Sequence, residues 1–277
     1  MTFINDIKQA YQKANVVEKI IYINIALFLI TVLFTKFSIE WLALPTQHSE
    51  FFYKPWTIVS YAFIHQRFIH ILSNLLVLYY IGNLFLDFYT KKQFLNFYFL
   101  GTLFGGSIFL LNYYFTNKTG APLAGASAAV TTIFVAIATK IPRYALQLRF
   151  IGSVELWVLA AIWVGLSILQ LANFDNGGAI AHLSGAILGF MYAKQLEKGN
   201  DIGKWFETIV NYFTNLTTIK KGKPLKTVYK SKKRTSSQEV SKTKQRKIDD
   251  ILDKISKSGY ESLTQEEKDF LFRAGKK

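Results

Sequence analysis

Two short strings carry side chains able to do chemistry: Gly125-Ala126-Ser127-Ala128 and Ala181-His182-Leu183-Ser184-Gly185. Each lies in a stretch that is otherwise apolar. An ionisable or polar group at bilayer depth is costly to keep, and it marks function by default. Ser127 and His182 held together in such surroundings read as a nucleophile and its base. A third string, from His65 to Asn74, adds His70 and Asn74. These are four apart and so share a helix face. Both can donate to a developing oxyanion; the other reading is polar glue between membrane helices. Ser127 sits among small residues, which also suits a packing patch. His182 opens a Gly185-x-x-x-Gly189 face that allows close helix approach. The bland reading is a tight helix pair with an incidental histidine; the functional one is that this closeness brings His182 to Ser127.

Positioning these residues requires membrane helices. A bilayer core takes about 20 mostly apolar residues per span. Six runs meet or approach that length: 18–36, 67–87, 94–115, 121–140, 154–172 and 177–195. Short connections make neighbouring spans antiparallel. Lys8, Lys13, Lys19, Lys91, Lys92, Lys140, Arg143, Arg149 and the basic tail fall on one side, which puts both termini in the cytoplasm. Spans two, four and six then enter from outside. At about 1.5 Å of rise per residue, His70, Asn74, Ser127 and His182 all lie roughly 5–10 Å below the outer boundary. Packing alone does not readily give three unconnected motifs one depth. The first outside loop, 37–66, holds five aromatic residues from Trp41 to Trp56, together with Pro45 and Pro55. It reads as a segment lying in the headgroups or as a small extracellular cap.

The net charge of +15 would suit a nucleic-acid binder, but its distribution follows short loops and the tail. A cytoplasmic membrane surface explains it more simply, so no nucleic acid is expected. The chain has no cysteine, which excludes a thiol nucleophile and a Cys-ligated metal. No H-E-x-x-H pair occurs and no carboxylate shares the common depth, so neither metal nor cofactor is expected. His48 has no visible partner; His65 suits either the mouth of the site or a structural hydrogen bond. The expected organisation is a cytoplasmic segment 1–17, a six-span domain 18–198, a basic disordered linker 199–247 and a short helical segment 248–277. Residues 218–247 hold twelve Lys or Arg and one acid, Glu239, a composition suited to anionic lipid. Thr264-Gln265-Glu266-Glu267 fits a capping box that opens a terminal helix.

Taken in order, His65-Gln66-Arg67-Phe68-Ile69-His70-Ile71-Leu72-Ser73-Asn74, Gly125-Ala126-Ser127-Ala128, and Ala181-His182-Leu183-Ser184-Gly185 with Gly189 resemble the rhomboid family of intramembrane serine proteases. The resemblance covers about residues 15–198. It implies an all-α membrane protein, a six-transmembrane-helix bundle with a basic cytoplasmic tail, in the cell inner membrane. It implies a Ser127–His182 dyad without a third acid, an oxyanion hole of His70, Asn74 and the Ser127 N–H, and substrates that are transmembrane proteins cleaved near their spans. The alternative in the same fold is a catalytically silent binder of client helices. Three positions depart from the family pattern: Ala128 for a glycine, Trp56-Thr57 for Trp-Arg, and Thr131 where many members carry an aromatic that supports the histidine. The Gly-Ala-Ser-Ala string, the Leu44-Pro45 region and the tail look like a Bacteroidetes-type bacterial member.

Overall fold

A computed structural model describes residues 3–149, 152–172, 177–217 and 235–275. The chain divides into two compact units, Met1–Thr217 and Thr218–Lys277.

The first unit opens with α1 (Phe3–Lys13) and α2 (Val16–Leu33). A reciprocal capping box starts α2: the Glu18 N–H donates to Asn15 Oδ1 at 3.0 Å, and the Asn15 N–H donates to Glu18 Oε2 at 2.7 Å. Three short helices follow, α3 (Thr35–Leu42), α4 (His48–Tyr53) and α5 (Thr57–Ser60), and then a 3₁₀ turn at Tyr61–Phe63. The long elements are α6 (Phe68–Phe88), α7 (Lys91–Thr116), α8 (Ser127–Lys140), α9 (Leu156–Ala172) and α10 (Gly177–Glu197). A box between Thr90 and Gln93 caps α7, which ends on Asn117 in the left-handed region.

The six apolar runs of the sequence overlap α2 and α6 to α10. Among the described residues, α2, α6 and α7 are long and apolar enough to cross a membrane, and α8 and α9 are shorter apolar helices. In α10 the glycines, His182, Ser184 and Lys194 dilute the apolar content. The centre of the unit is α8, buried at nearly every residue from Ser127 to Ala138. One core packs it against Leu78, Phe85, Phe97, Tyr98 and Tyr192. A smaller core at its N-terminal end joins Leu44, Tyr61, Phe109, Leu123 and Ala181.

Several elements depart from the sequence expectation. The fold is not wholly α. Strands β1 (Ala145–Leu148) and β2 (Gly152–Glu155) pair antiparallel, with Leu146 opposite Val154. Alternating apolar residues suit a strand, and Gly152, at φ 92°, takes a backbone conformation disfavoured for side chains with a Cβ. Residues 121–126 are not helical. Pro122 lacks an N–H, and Leu123 forms an isolated bridge to Leu44 through bonds of 2.8 and 2.9 Å. The fourth helix therefore begins at Ser127 itself. Its 14 residues span about 21 Å, short of a bilayer core of about 30 Å.

The first loop is largely helical, with Phe37, Trp41, Phe52, Tyr53 and Trp56 exposed. Its anchoring answers the missing Trp-Arg pair. Trp41 and Trp56 stack at 6.3 Å, and Trp56 Nε1 donates to the Trp41 carbonyl at 2.8 Å. Lys54 lies 5.0 Å over the Trp41 ring and donates to the Glu40 carbonyl at 2.8 Å. A lysine on the preceding turn supplies the cation to the aromatic pair.

The stretch 199–247, expected as a disordered linker, contains α11 (Lys204–Thr217) and the start of α12 (Thr235–Ser258). Residues 218–234 lie outside the described ones. Hydrogen bonds hold α11 in the first unit. Tyr192 Oη donates to Asp201 at 2.6 Å, the Gly203 N–H donates to the same carboxylate at 3.0 Å, and Asn96 donates to Glu207 at 3.0 Å. The compact unit thus runs on to Thr217. Composition missed this because α11 mixes Trp205, Phe206, Ile209 and Val210 with charge, the pattern of a one-faced helix.

In the second unit, α12 stops before Gly259, at φ 76°, and α13 (Gln265–Gly275) follows. The Thr264–Glu267 capping box forms, with bonds of 2.8 and 3.3 Å. Lys254 bridges from α12 to Glu267 at 2.8 Å. That bond, with the bonds from Thr264, holds the Glu267 carboxyl below the usual carboxylate range.

Candidate active site

Ser127 is the first residue of α8, and no side chain caps that end. The first N–H groups of a helix lack intrahelical partners and stand at the positive end of its dipole. The candidate nucleophile therefore stands at an anion-favouring terminus. The approach to Ser127 is pinned residue by residue. The Gly125 N–H donates to the Tyr61 carbonyl at 2.9 Å, and the Ala126 N–H donates to His65 Nε2 at 3.2 Å. His65, fully buried, is thus a structural acceptor. Gly125 sits at φ 129°, and a Cβ on it would stand 2.6 Å from His70 Cε1. Glycine here is needed both for the backbone angle and for His70 to lie against the segment that leads into α8.

His70 and Asn74 come from the first turns of α6. Asn74 Nδ2 donates one hydrogen to the His70 carbonyl at 2.8 Å, leaving its second amide hydrogen for another acceptor. His70 packs edge-on to His65 at 5.2 Å.

His182 lies in the second turn of α10. A Cβ on Gly185 would strike the carbonyl oxygen of Ala128, and one on Gly189 that of Thr132. Gly101 of α7 meets the Thr132 side chain, and Gly105 lies 2.8 Å, measured from an added Cβ, from the Ala128 methyl. Glycines of both α10 and α7 thus wedge against the Ala128 and Thr132 positions of α8, one turn apart.

Ser127, His182, His70 and Asn74 all line one cavity of about 210 Å³, together with Ser73, Trp163, Leu166, Ser167 and Gln170. The three strings, from α6, α8 and α10, meet there. Among the described residues, the His182 ring makes one hydrogen bond, to Ser167, and meets Ser127 across the cavity without one. Catalytic hydrogen bonds are often long before substrate arrives. Among the described residues no group of three or more His, Cys, Asp or Glu could hold a metal ion. His48 lies apart, 3.2 Å from the Leu110 carbonyl and edge-on to Tyr114.

Trp163, Ser167 and Gln170 of α9 are site residues that the motif strings do not contain. Their signal is weak: a tryptophan and a serine four apart in an apolar run look like any helix face. Trp163 also answers the Thr131 departure. Its Nε1 donates to Thr131 Oγ1 at 2.8 Å, and its ring centroid lies 6.5 Å from that of His182. The aromatic beside the histidine comes from α9 instead of from α8.

Residues 53–198 match the rhomboid domain, just over half of the chain. The chain belongs to the rhomboid family. Over 157 residues the rhomboid is 27% identical to RHOMBOID-like protein 12, mitochondrial, of Arabidopsis thaliana, a match covering 52% of this chain and 47% of that protein. Over 176 residues it is 28% identical to Presenilin-associated rhomboid-like protein A, mitochondrial, of Danio rerio, covering 60% of this chain and 44% of that one. The chain thus spans less than half the length of either relative. Residues 227–277 match a family of unknown function, DUF6576. This rhomboid is a multi-pass membrane protein, mostly helical.

The glycine wedge gives a first expectation. Gly189→Ala forces α10 off the Thr132 carbonyl, and backbone cannot swing away as a side chain does. A misplacement of about 1 Å at a reacting pair can cost about 10²-fold in rate. Gly189→Ala should lower turnover of a single-span reporter by about that factor, with a lowered Tm. Gly165→Ala on α9, where nothing lies within 4 Å, should change neither.

Proposed function

We propose that this rhomboid is an intramembrane serine endopeptidase that cleaves membrane-anchored proteins in or near their transmembrane segment. One observation carries the reading: a single cavity of about 210 Å³ unites Ser127, His182, His70 and Asn74 from three helices of an apolar bundle. His182 takes the Ser127 proton as Oγ attacks the scissile carbonyl carbon. The oxyanion is held by His70, Asn74 and the Ser127 N–H. The C–N bond then breaks as His182 returns the proton to the leaving amine, leaving an acyl-enzyme on Ser127. Water, deprotonated by His182, hydrolyses that ester.

The proposed setting is the inner membrane of a bacterial cell. Six spans, α2 and α6 to α10, leave both termini in the cytoplasm, a topology supported by the loop charges. Substrates are proteins with transmembrane segments. The test is fluorophosphonate labelling in membranes with identification of the modified residue. Label on Ser127, lost in His182→Ala, supports the protease. A silent client-binding module is the second reading, favoured by the missing Ser127–His182 hydrogen bond; an unlabelled but correctly inserted protein would establish it.

The basic tail is proposed to engage anionic lipid. Each basic residue near such a surface contributes about 1 kcal/mol, fading within a Debye length of about 10 Å at 0.1 M salt. A peptide of residues 218–247 should bind acidic vesicles at low salt and release at high salt. Because α11 belongs to the first unit, the informative truncation begins at Thr218, and a chain ending at Thr217 should still cleave the reporter. Loss of cleavage by that inserted chain would make the tail a required part.

A further inference from the structure

Among the described residues, no Asp or Glu lines the cavity that holds the proposed dyad. Something else must decide which His182 nitrogen carries the proton. Ser167 is 97% buried on α9, and its hydroxyl stands 3.2 Å from His182 Nδ1. The same hydroxyl donates to the Trp163 carbonyl one turn back, at 3.1 Å. A serine hydroxyl has one hydrogen and two lone pairs. With the hydrogen committed to the i−4 carbonyl, the contact to Nδ1 is made by a lone pair, so Nδ1 carries the N–H. A neutral imidazole protonated on Nδ1 has its acceptor at Nε2. That is the tautomer a general base for Ser127 needs; the reverse tautomer would present an N–H to the nucleophile.

A second contact comes from the same helix face. Trp163, four residues before Ser167, packs its ring 6.5 Å from the His182 ring at 35°. Its indole N–H is tied to Thr131 Oγ1, four residues after Ser127 on α8. The indole walls one side of the imidazole while the Ser167 hydroxyl fixes its nitrogen.

We propose that Ser167 is a positioning residue that holds His182 as the Nδ1–H tautomer through the Ser167 Oγ–His182 Nδ1 contact, with Trp163 bracing the ring. The proposal rests on His182 acting as the base, and its test is chosen to separate the two. Outer hydrogen-bond partners that orient an imidazole typically command about 10–100-fold, so Ser167→Ala should lower kcat on a single-span reporter by that factor with KM unchanged. Ser167→Thr keeps a hydroxyl able to bond the i−4 carbonyl and should restore most of kcat. Imidazole ¹⁵N spectra of the full chain in bicelles give the independent readout, the His182 signals being assigned by their loss in His182→Ala. In the parent, Nδ1 should be protonated and Nε2 bare; Ser167→Ala should shift the population toward Nε2–H. Unchanged kcat in Ser167→Ala, or an Nε2–H signal in the parent, would overturn the proposal. If Ser167→Ala does not fold, the parent spectrum and Ser167→Thr still decide it: the Nδ1–H signal with retained kcat supports it, and Nε2–H refutes it. A parent that cleaves nothing, yet shows the Nδ1–H signal and its shift in Ser167→Ala, removes the protease reading and leaves the positioning role standing.

Discussion

Replacing Ser127 by alanine is expected to cut turnover of a single-span reporter by about 10⁴–10⁶-fold while leaving the protein inserted. The side chain removed is the proposed nucleophile, and among the described residues the cavity holds no neighbour that could stand in for it: Ser73 and Ser167 line the same space but sit on α6 and α9, away from the α8 terminus. His182→Ala should cost a similar factor, because nucleophile and base act as a unit. The double variant should be little worse than either single one. Measured kcat for the three proteins, with insertion checked by fractionation, makes the comparison. Full turnover by Ser127→Ala would end the protease mechanism.

The proposed oxyanion donors carry the next largest effect. Losing one such donor typically costs about 10²–10³ in rate, or roughly 3–4 kcal/mol. Asn74→Ala should therefore lower kcat by that factor with a modest change in KM, since the free amide hydrogen acts on charge that develops only in the transition state. His70→Ala should do likewise. It should also leave space beside Gly125, so that its thermal stability falls while that of Asn74→Ala holds. If either change mainly raised KM with kcat intact, that residue would belong to substrate contact.

How much of this was legible depended on the residue. The glycine spacing Gly185–Gly189 and the strings around Ser127 and His182 are local patterns, and they pointed to helices that meet at one cavity because close helix approach depends on little beyond residue size. Span four was misjudged at its start. Periodicity cannot see that Leu123 pairs with Leu44, about eighty residues earlier, and this nonlocal bridge keeps residues 121–126 out of the helix. The hairpin at Ala145–Leu148 and Gly152–Glu155 is too short to rise above the apolar runs around it. The α9 contributions were invisible for a different reason. Trp163 and Ser167 acquire meaning from what they touch, Thr131 and His182, and neither contact leaves a trace in the order of residues. The Thr131 departure was the one available hint, because a missing aromatic implies a replacement elsewhere.

The make-up of the cavity wall has an electrical consequence. With its histidines neutral, the described lining of His70, Ser73, Asn74, Ser127, Trp163, Leu166, Ser167, Gln170 and His182 holds dipoles and no standing ion. A permanent carboxylate in a low-dielectric bundle would carry a desolvation penalty of several kcal/mol at all times, whether or not substrate is present. In the proposed reaction charge separates only as it proceeds, when an imidazolium and an oxyanion arise together a few ångströms apart. Such a site would act as a neutral medium that becomes a transient ion pair and relaxes again, so that its described lining bears no electrostatic burden at rest.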